Sequence, residues 1–90
     1  MSVYIVTYDL RKPGKDYEPL LTAIRKYTNC HCLKSAFFID TTESASDVRD
    51  KLTKLIDSND QLYVLKLTGT WAATRKEDCT EWLKQPNRKF

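Results

Sequence analysis

The sequence predicts an α+β sandwich in which two helices fold onto one face of an antiparallel sheet, followed by a C-terminal appendage. Three observations predict it. Apolar runs of strand length occur near residues 3–10, 32–40 and 61–68. Between them lie two segments whose apolar residues recur at spacings of three and four. The strands are also apolar on both faces: Tyr4, Val6 and Tyr8 oppose Val3 and Ile5, and Tyr63, Leu65 and Leu67 oppose Leu62 and Val64. A sheet with one wet face alternates apolar with polar residues, so something besides two helices must cover this one. The candidates are the C-terminal segment with Trp71 and Trp82, or a second copy packed face to face about a two-fold axis.

The first strand, Val3 to Leu10, carries Asp9 near its end and breaks into Arg11-Lys12-Pro13-Gly14. Asp16 then caps a predicted helix with a stripe of Tyr17, Leu20, Leu21, Ile24 and Tyr27, and Pro19 sits in the first turn, where its missing N–H is not needed. This helix is expected to end near Thr28-Asn29. An extended stretch from Cys32 to Asp40, which can bend into two strands, puts Leu33, Phe37 and Ile39 on one face and Ala36 and Phe38 on the other. Ser44-x-x-Asp47 reads as a capping box opening a helix with Ala45, Val48, Leu52, Leu55 and Ile56 buried. Asp57-Ser58-Asn59-Asp60 stops it, and Gln61 to Thr68 returns to strand. The link Thr70–Ala73 fits either strand or helix, and Thr74-x-x-Glu77 can cap a last helix holding Cys79, Trp82 and Leu83. The order βαββαβ is that of the ferredoxin-like sandwich.

With 41% hydrophobic and 30% charged residues and only two glycines, the composition describes a single domain over residues 1–90, without linker or repeat. So short a chain often gains stability from self-association. No apolar stretch approaches the ~20 residues of a membrane span, and no signal-peptide pattern opens the chain, so the expectation is a cytoplasmic protein with no membrane partner. Three cysteines, Cys30, Cys32 and Cys79, suit reduced thiols better than a disulfide framework. Zinc at Cys30-His31-Cys32 is disfavoured, because strand alternation turns His31 away from the thiols. The net charge of +3 is a mild bias, so clustering decides what the positive residues do. Arg11, Lys12 and Lys15 crowd the turn after Asp9, Arg25 and Lys26 end the first helix, and Lys84, Arg88 and Lys89 lie in the tail.

Tyr8-Asp9-Leu10, Ser35-Ala36-Phe37, and Leu55-Ile56-Asp57 leading into Leu62-Tyr63-Val64-Leu65 resemble the small CRISPR-associated adaptation subunit over residues 3–68. The stand-alone SinR-like proteins and the virulence-associated protein D ribonucleases share the outline. The resemblance implies a ferredoxin-like homodimer, described both as a metal-dependent endonuclease and as the non-catalytic bridge of a spacer integrase. On that footing two copies of Asp9 would share Mg²⁺ or Mn²⁺ near the dimer axis. Ser35 would match a middle-strand serine beside the ion or a phosphate. Arg11, Lys12, Lys15 and Lys34 would hold the backbone of RNA or DNA, and an integrase-type protein would be the further partner.

Each residue also has a plainer reading. Asp9 can pair with Arg11 or cap the Lys12-Pro13-Gly14 turn, Ser35 can be a packing residue, and the strand aromatics can be core rather than stacking platforms for bases. Two functions therefore follow from the sequence: a metal-dependent endonuclease acting through Asp9, or a catalytically silent homodimeric binding or scaffolding module.

Overall fold

The computed structural model describes residues 2–74, 78–88 and 90. Its elements run β1 (Ser2–Asp9), α1 (Glu18–Arg25), β2 (Thr28–Leu33), β3 (Ala36–Thr41), α2 (Ala45–Thr53), β4 (Gln61–Lys66) and α3 (Asp78–Leu83). The sheet order is β2-β3-β1-β4 with every neighbouring pair antiparallel. This small α+β arrangement is compatible with the ferredoxin-like sandwich read from the sequence.

Pairing explains which residues reach the helices. Val6 lies opposite Phe37 on one side and Val64 on the other, and Tyr4 lies opposite Ile39. These side chains form a cluster with Leu20 and Ile24 of α1 and Val48 and Leu52 of α2. Each large apolar side chain buried there is worth about 1.5–3 kcal/mol. Glu43 ties the cluster's rim: its backbone carbonyl accepts from the Tyr4 hydroxyl at 2.8 Å, and its carboxylate accepts from Tyr27 at 3.0 Å and Lys51 at 2.8 Å. Lys51 first, with Tyr27 assisting against partial burial, holds the Glu43 carboxyl below the usual range.

The second face is covered by the appendage. α3 lies over β2, joined to it by a Cys30–Cys79 disulfide with Cα atoms 5.7 Å apart. Trp82 stacks on Phe38, and the Arg88 guanidinium lies 4.0 Å over the Trp82 ring while pairing with Asp40 of β3. This cover is partial. Leu33, Tyr63 and Leu65 remain 66%, 62% and 52% exposed.

Several expectations need correction. The disulfide replaces the all-reduced thiols; only Cys32 is free. Spacing along the chain could not show that folding brings positions 30 and 79 together. The N-cap of α1 is Tyr17 rather than Asp16, whose carboxylate instead accepts from the Glu18 N–H at 3.0 Å in a local turn. α1 ends at Arg25, because Thr28 and Asn29 are already paired with β3. Leu33 does not share a face with Phe37 and Ile39: a register shift between His31 and Leu33 puts it opposite Ala36. The side chain of Arg88, in the tail, is buried against Asp40. Residues 70–73 are neither strand nor helix. Glu77, in the expected last cap, and Lys89 lie outside the described residues.

Candidate nucleic-acid interface

One end of the sheet gathers the residues singled out in the sequence. β1 runs to Asp9, which pairs with Gln61, the first residue of β4. Across β1 the two-residue turn Lys34-Ser35 joins β2 to β3, and the Ser35 carbonyl accepts from the Tyr8 N–H at 3.1 Å and the Thr7 hydroxyl at 3.2 Å. Asp9, Ser35, Lys34 and the Arg11–Lys15 loop therefore share the same edge of the fold. Ser35 is a turn residue and not a middle-strand one, and its carbonyl, rather than its hydroxyl, makes these contacts.

The basic loop has a defined shape. Lys15 N–H donates to the Lys12 carbonyl at 3.3 Å across Pro13-Gly14, and Gly14 takes φ +79°. Proline followed by a residue at positive φ is the signature of a type II turn, which requires glycine at this place. The turn is fastened to the α2–β4 connection. Asp60 accepts from the Arg11 N–H at 2.6 Å, the Tyr17 hydroxyl at 2.6 Å and the Asp57 N–H at 2.7 Å. Partial burial pushes the Asp60 carboxyl up, but these three donors outweigh it and hold it below the usual carboxylate range. Asp57 accepts from Asn59 N–H and pairs with Lys12 at 3.3 Å, and in that order these contacts depress its carboxyl. Tyr17 is pushed up by burial and by donating to Asp60. Lys15 lies 5.9 Å from the Tyr17 ring centre.

Asp9 itself is exposed and held by Arg11. The guanidinium donates Nε at 2.8 Å to Oδ2 and brings Nη2 within 2.8 Å of the same oxygen. The plainer reading of Asp9 as a partner of Arg11 thus matches the geometry. Mg²⁺ and Mn²⁺ prefer about six oxygen ligands. Asp9 faces a cation, and the acids of the adjoining loop, Asp57 and Asp60, are occupied by backbone amides, Lys12 and Tyr17. Within one chain these residues do not fit a divalent ion, and among the described residues no group of three or more His, Cys, Asp or Glu side chains could hold one. His31 stacks on Phe37 with ring centres 4.0 Å apart, away from metal-binding duty with its neighbouring cysteines.

Sequence reasoning missed the fastening role of Tyr17, Asp57 and Asp60. The available signal was a pair of acids in a turn leading into the strand that abuts Asp9.

Among the described residues, no helix is long and apolar enough to cross a membrane. No solved structure matches this chain. The family model of CRISPR associated protein Cas2 matches residues 1–75, a stretch that contains the whole four-stranded sheet and ends before α3. The chain belongs to the CRISPR associated protein Cas2 family.

Proposed function

We propose that this protein serves CRISPR adaptation as a homodimeric scaffold that grips the backbone of RNA or DNA along the rim formed by Arg11, Lys12, Lys15 and Lys34. The observation that carries this reading is the gathering of those cations, from two separate segments, at one end of the sheet. Lysine and arginine side chains on a shaped loop supply phosphate contacts without reading sequence. The exposed Leu33, Tyr63 and Leu65 offer a second copy an apolar surface, and an integrase-type protein is the further partner expected of such a bridge. In this reading Arg11 and Lys12 reach phosphate by exchanging their pairings with Asp9 and Asp57, and Ser35 shapes the turn that presents Lys34.

The competing reading, a Mg²⁺- or Mn²⁺-dependent endonuclease, keeps one point of support. Both Arg11 contacts fall on Oδ2 of Asp9, and an exposed ion pair of this kind is worth only ~0–1 kcal/mol. A second copy could therefore complete a site that one chain lacks. Labelled single-stranded RNA and duplex DNA, incubated with the protein in Mg²⁺ or chelator beside Asp9→Ala, separate the two. The scaffold binds both with a steep salt dependence, and losing a phosphate contact with Lys34→Ala lowers the slope of log K against log salt by about 0.7–0.9. Cleavage that needs the metal and vanishes in Asp9→Ala would sink the scaffold reading in favour of the nuclease.

A further inference from the structure

Beyond the rim, the way the C-terminal segment is held to the sheet calls for an explanation. Among the described residues α3 spans six, Asp78–Leu83, too few for a helix to persist without tertiary support. Besides the Trp82–Phe38 stack and the buried Leu83, two tethers of different chemistry fasten it to the sheet. One is the Cys30–Cys79 disulfide to β2, spanning 49 positions of sequence. The other is the Arg88–Asp40 pair, 3.1 Å between Nη1 and Oδ2, with side chains only 6% and 2% exposed. That pair is incompletely satisfied: Asp40 Oδ1 and Arg88 Nε are buried with no hydrogen-bond partner among the described residues. A buried ion pair repays its desolvation only when its remaining donors and acceptors are met. The ion pair is therefore a weak tether, which leaves the disulfide and the small apolar contacts of Trp82 and Leu83 to hold the segment.

The bond is also reachable. Cys79, on the appendage side of the bond, lines an open groove of about 530 Å³ together with Phe38, Leu67, Leu83 and the free Cys32. Both tether partners in the appendage, Cys79 and Arg88, lie beyond the stretch matched to the family.

We propose that the Cys30–Cys79 disulfide is a redox latch: oxidised, it keeps residues 78–88 on the outer face of the sheet, and reduced by a dithiol, it releases them and uncovers Phe38 beneath Trp82. A reductant thiolate attacks one sulfur, forming a mixed disulfide and expelling the other cysteine as a thiolate, which takes up a proton. The reductant's second thiol then displaces the remaining cysteine. The products are two protein thiols and an oxidised cyclic disulfide, a two-electron exchange. Cys32 stays outside the exchange. Its thiol, pushed up by burial, donates to the Ala36 carbonyl at 3.3 Å.

Hydrogen exchange by mass spectrometry on the full chain, before and after dithiothreitol, tests the latch within a single chain, whether or not two copies pair. After reduction, amides of residues 78–88 exchange at least tenfold faster, while β1 and β3 keep their protection. Cys79→Ser shows the released pattern without reductant, and Cys32→Ser responds as the parent does. Unchanged protection of residues 78–88 on reduction overturns the proposal. Loss of protection throughout β1 and β3 also overturns it, since the bond would then be a staple of the whole fold. A Cys32→Ser protein blind to dithiothreitol overturns the assignment of the pair.

Discussion

Asp60 receives three donors from two segments and thereby ties the basic turn to the start of β4. Its carboxyl, with those of Asp57 and Glu43, is depressed below ordinary values of 3.8, 3.8 and 4.5. A depressed carboxyl contributes stability above its unfolded value, and that contribution is lost as pH falls through the folded one. We therefore expect a thermal midpoint that is level near neutrality and declines below about pH 4. Asp60→Asn should shallow that decline, because its amide nitrogen cannot accept from Tyr17 or Asp57. The same variant should let trypsin cut after Arg11 or Lys15 faster, and an unchanged cutting rate would count against the fastening role. The raised Tyr17 and Tyr27 act at the other extreme, their stabilisation disappearing as pH climbs through folded values above 10.0.

Among the elements, α2 shows how local rules and burial combine. Ser44 accepts from the Asp47 N–H at 3.1 Å, as the Ser-x-x-Asp pattern implies, and Val48 and Leu52 face the core one turn apart. Ser44→Ala should cost about 1 kcal/mol and Leu52→Ala about 2–5 kcal/mol in a denaturant titration, the second leaving a cavity. If the two cost the same, the core has closed over the missing side chain. The buried positions Leu20 and Ile24 of α1 and Val48 and Leu52 of α2 were legible because a 3.6-residue period marks one side of a cylinder, whereas Leu55 and Ile56, expected in the second helix, lie past its end at Thr53, and Tyr17 and Tyr27 flank α1. The α1 boundary was less so. Asp16 satisfies a cap motif, yet the structure uses it in a turn one residue too early, and propensity cannot choose between adjacent starts. Nor could it show the shift at His31/Leu33, which depends on how β2 meets β3.

For the molecule as a whole, the uncovered part of the outer face and the disulfide are the two features with measurable consequences. If two copies pair through this face as proposed, replacing both Tyr63 and Leu65 by Lys should shift the sedimentation profile toward the monomer and abolish the concentration dependence of the thermal midpoint, since both side chains are largely exposed in the single chain. An unaltered mass would argue that pairing uses another surface. Closing a loop of this length constrains the unfolded chain by up to about 4 kcal/mol in the chain-entropy account. Cys79→Ser should therefore lower stability to global unfolding by no more than that, whereas a far larger loss would show that the core depends on α3.

Sequence alone determined the order of the main elements and the inward positions of both helices and of β1, because periodicity and apolar patterning are properties of neighbours along the chain. It also carried the likeness to the family and marked Asp9 and its basic turn as a place of interest. Only the tertiary structure decided what those residues face. Arg11 holds Asp9, two acids from the α2–β4 connection grip the loop, Arg88 is buried on Asp40, and Cys79 reaches Cys30. Each of these joins positions that a turn or the sheet brings into contact, and the direction of a side chain at such a meeting follows from register and packing. The sequence could therefore supply the groups at the rim, while the fold alone assigned their partners.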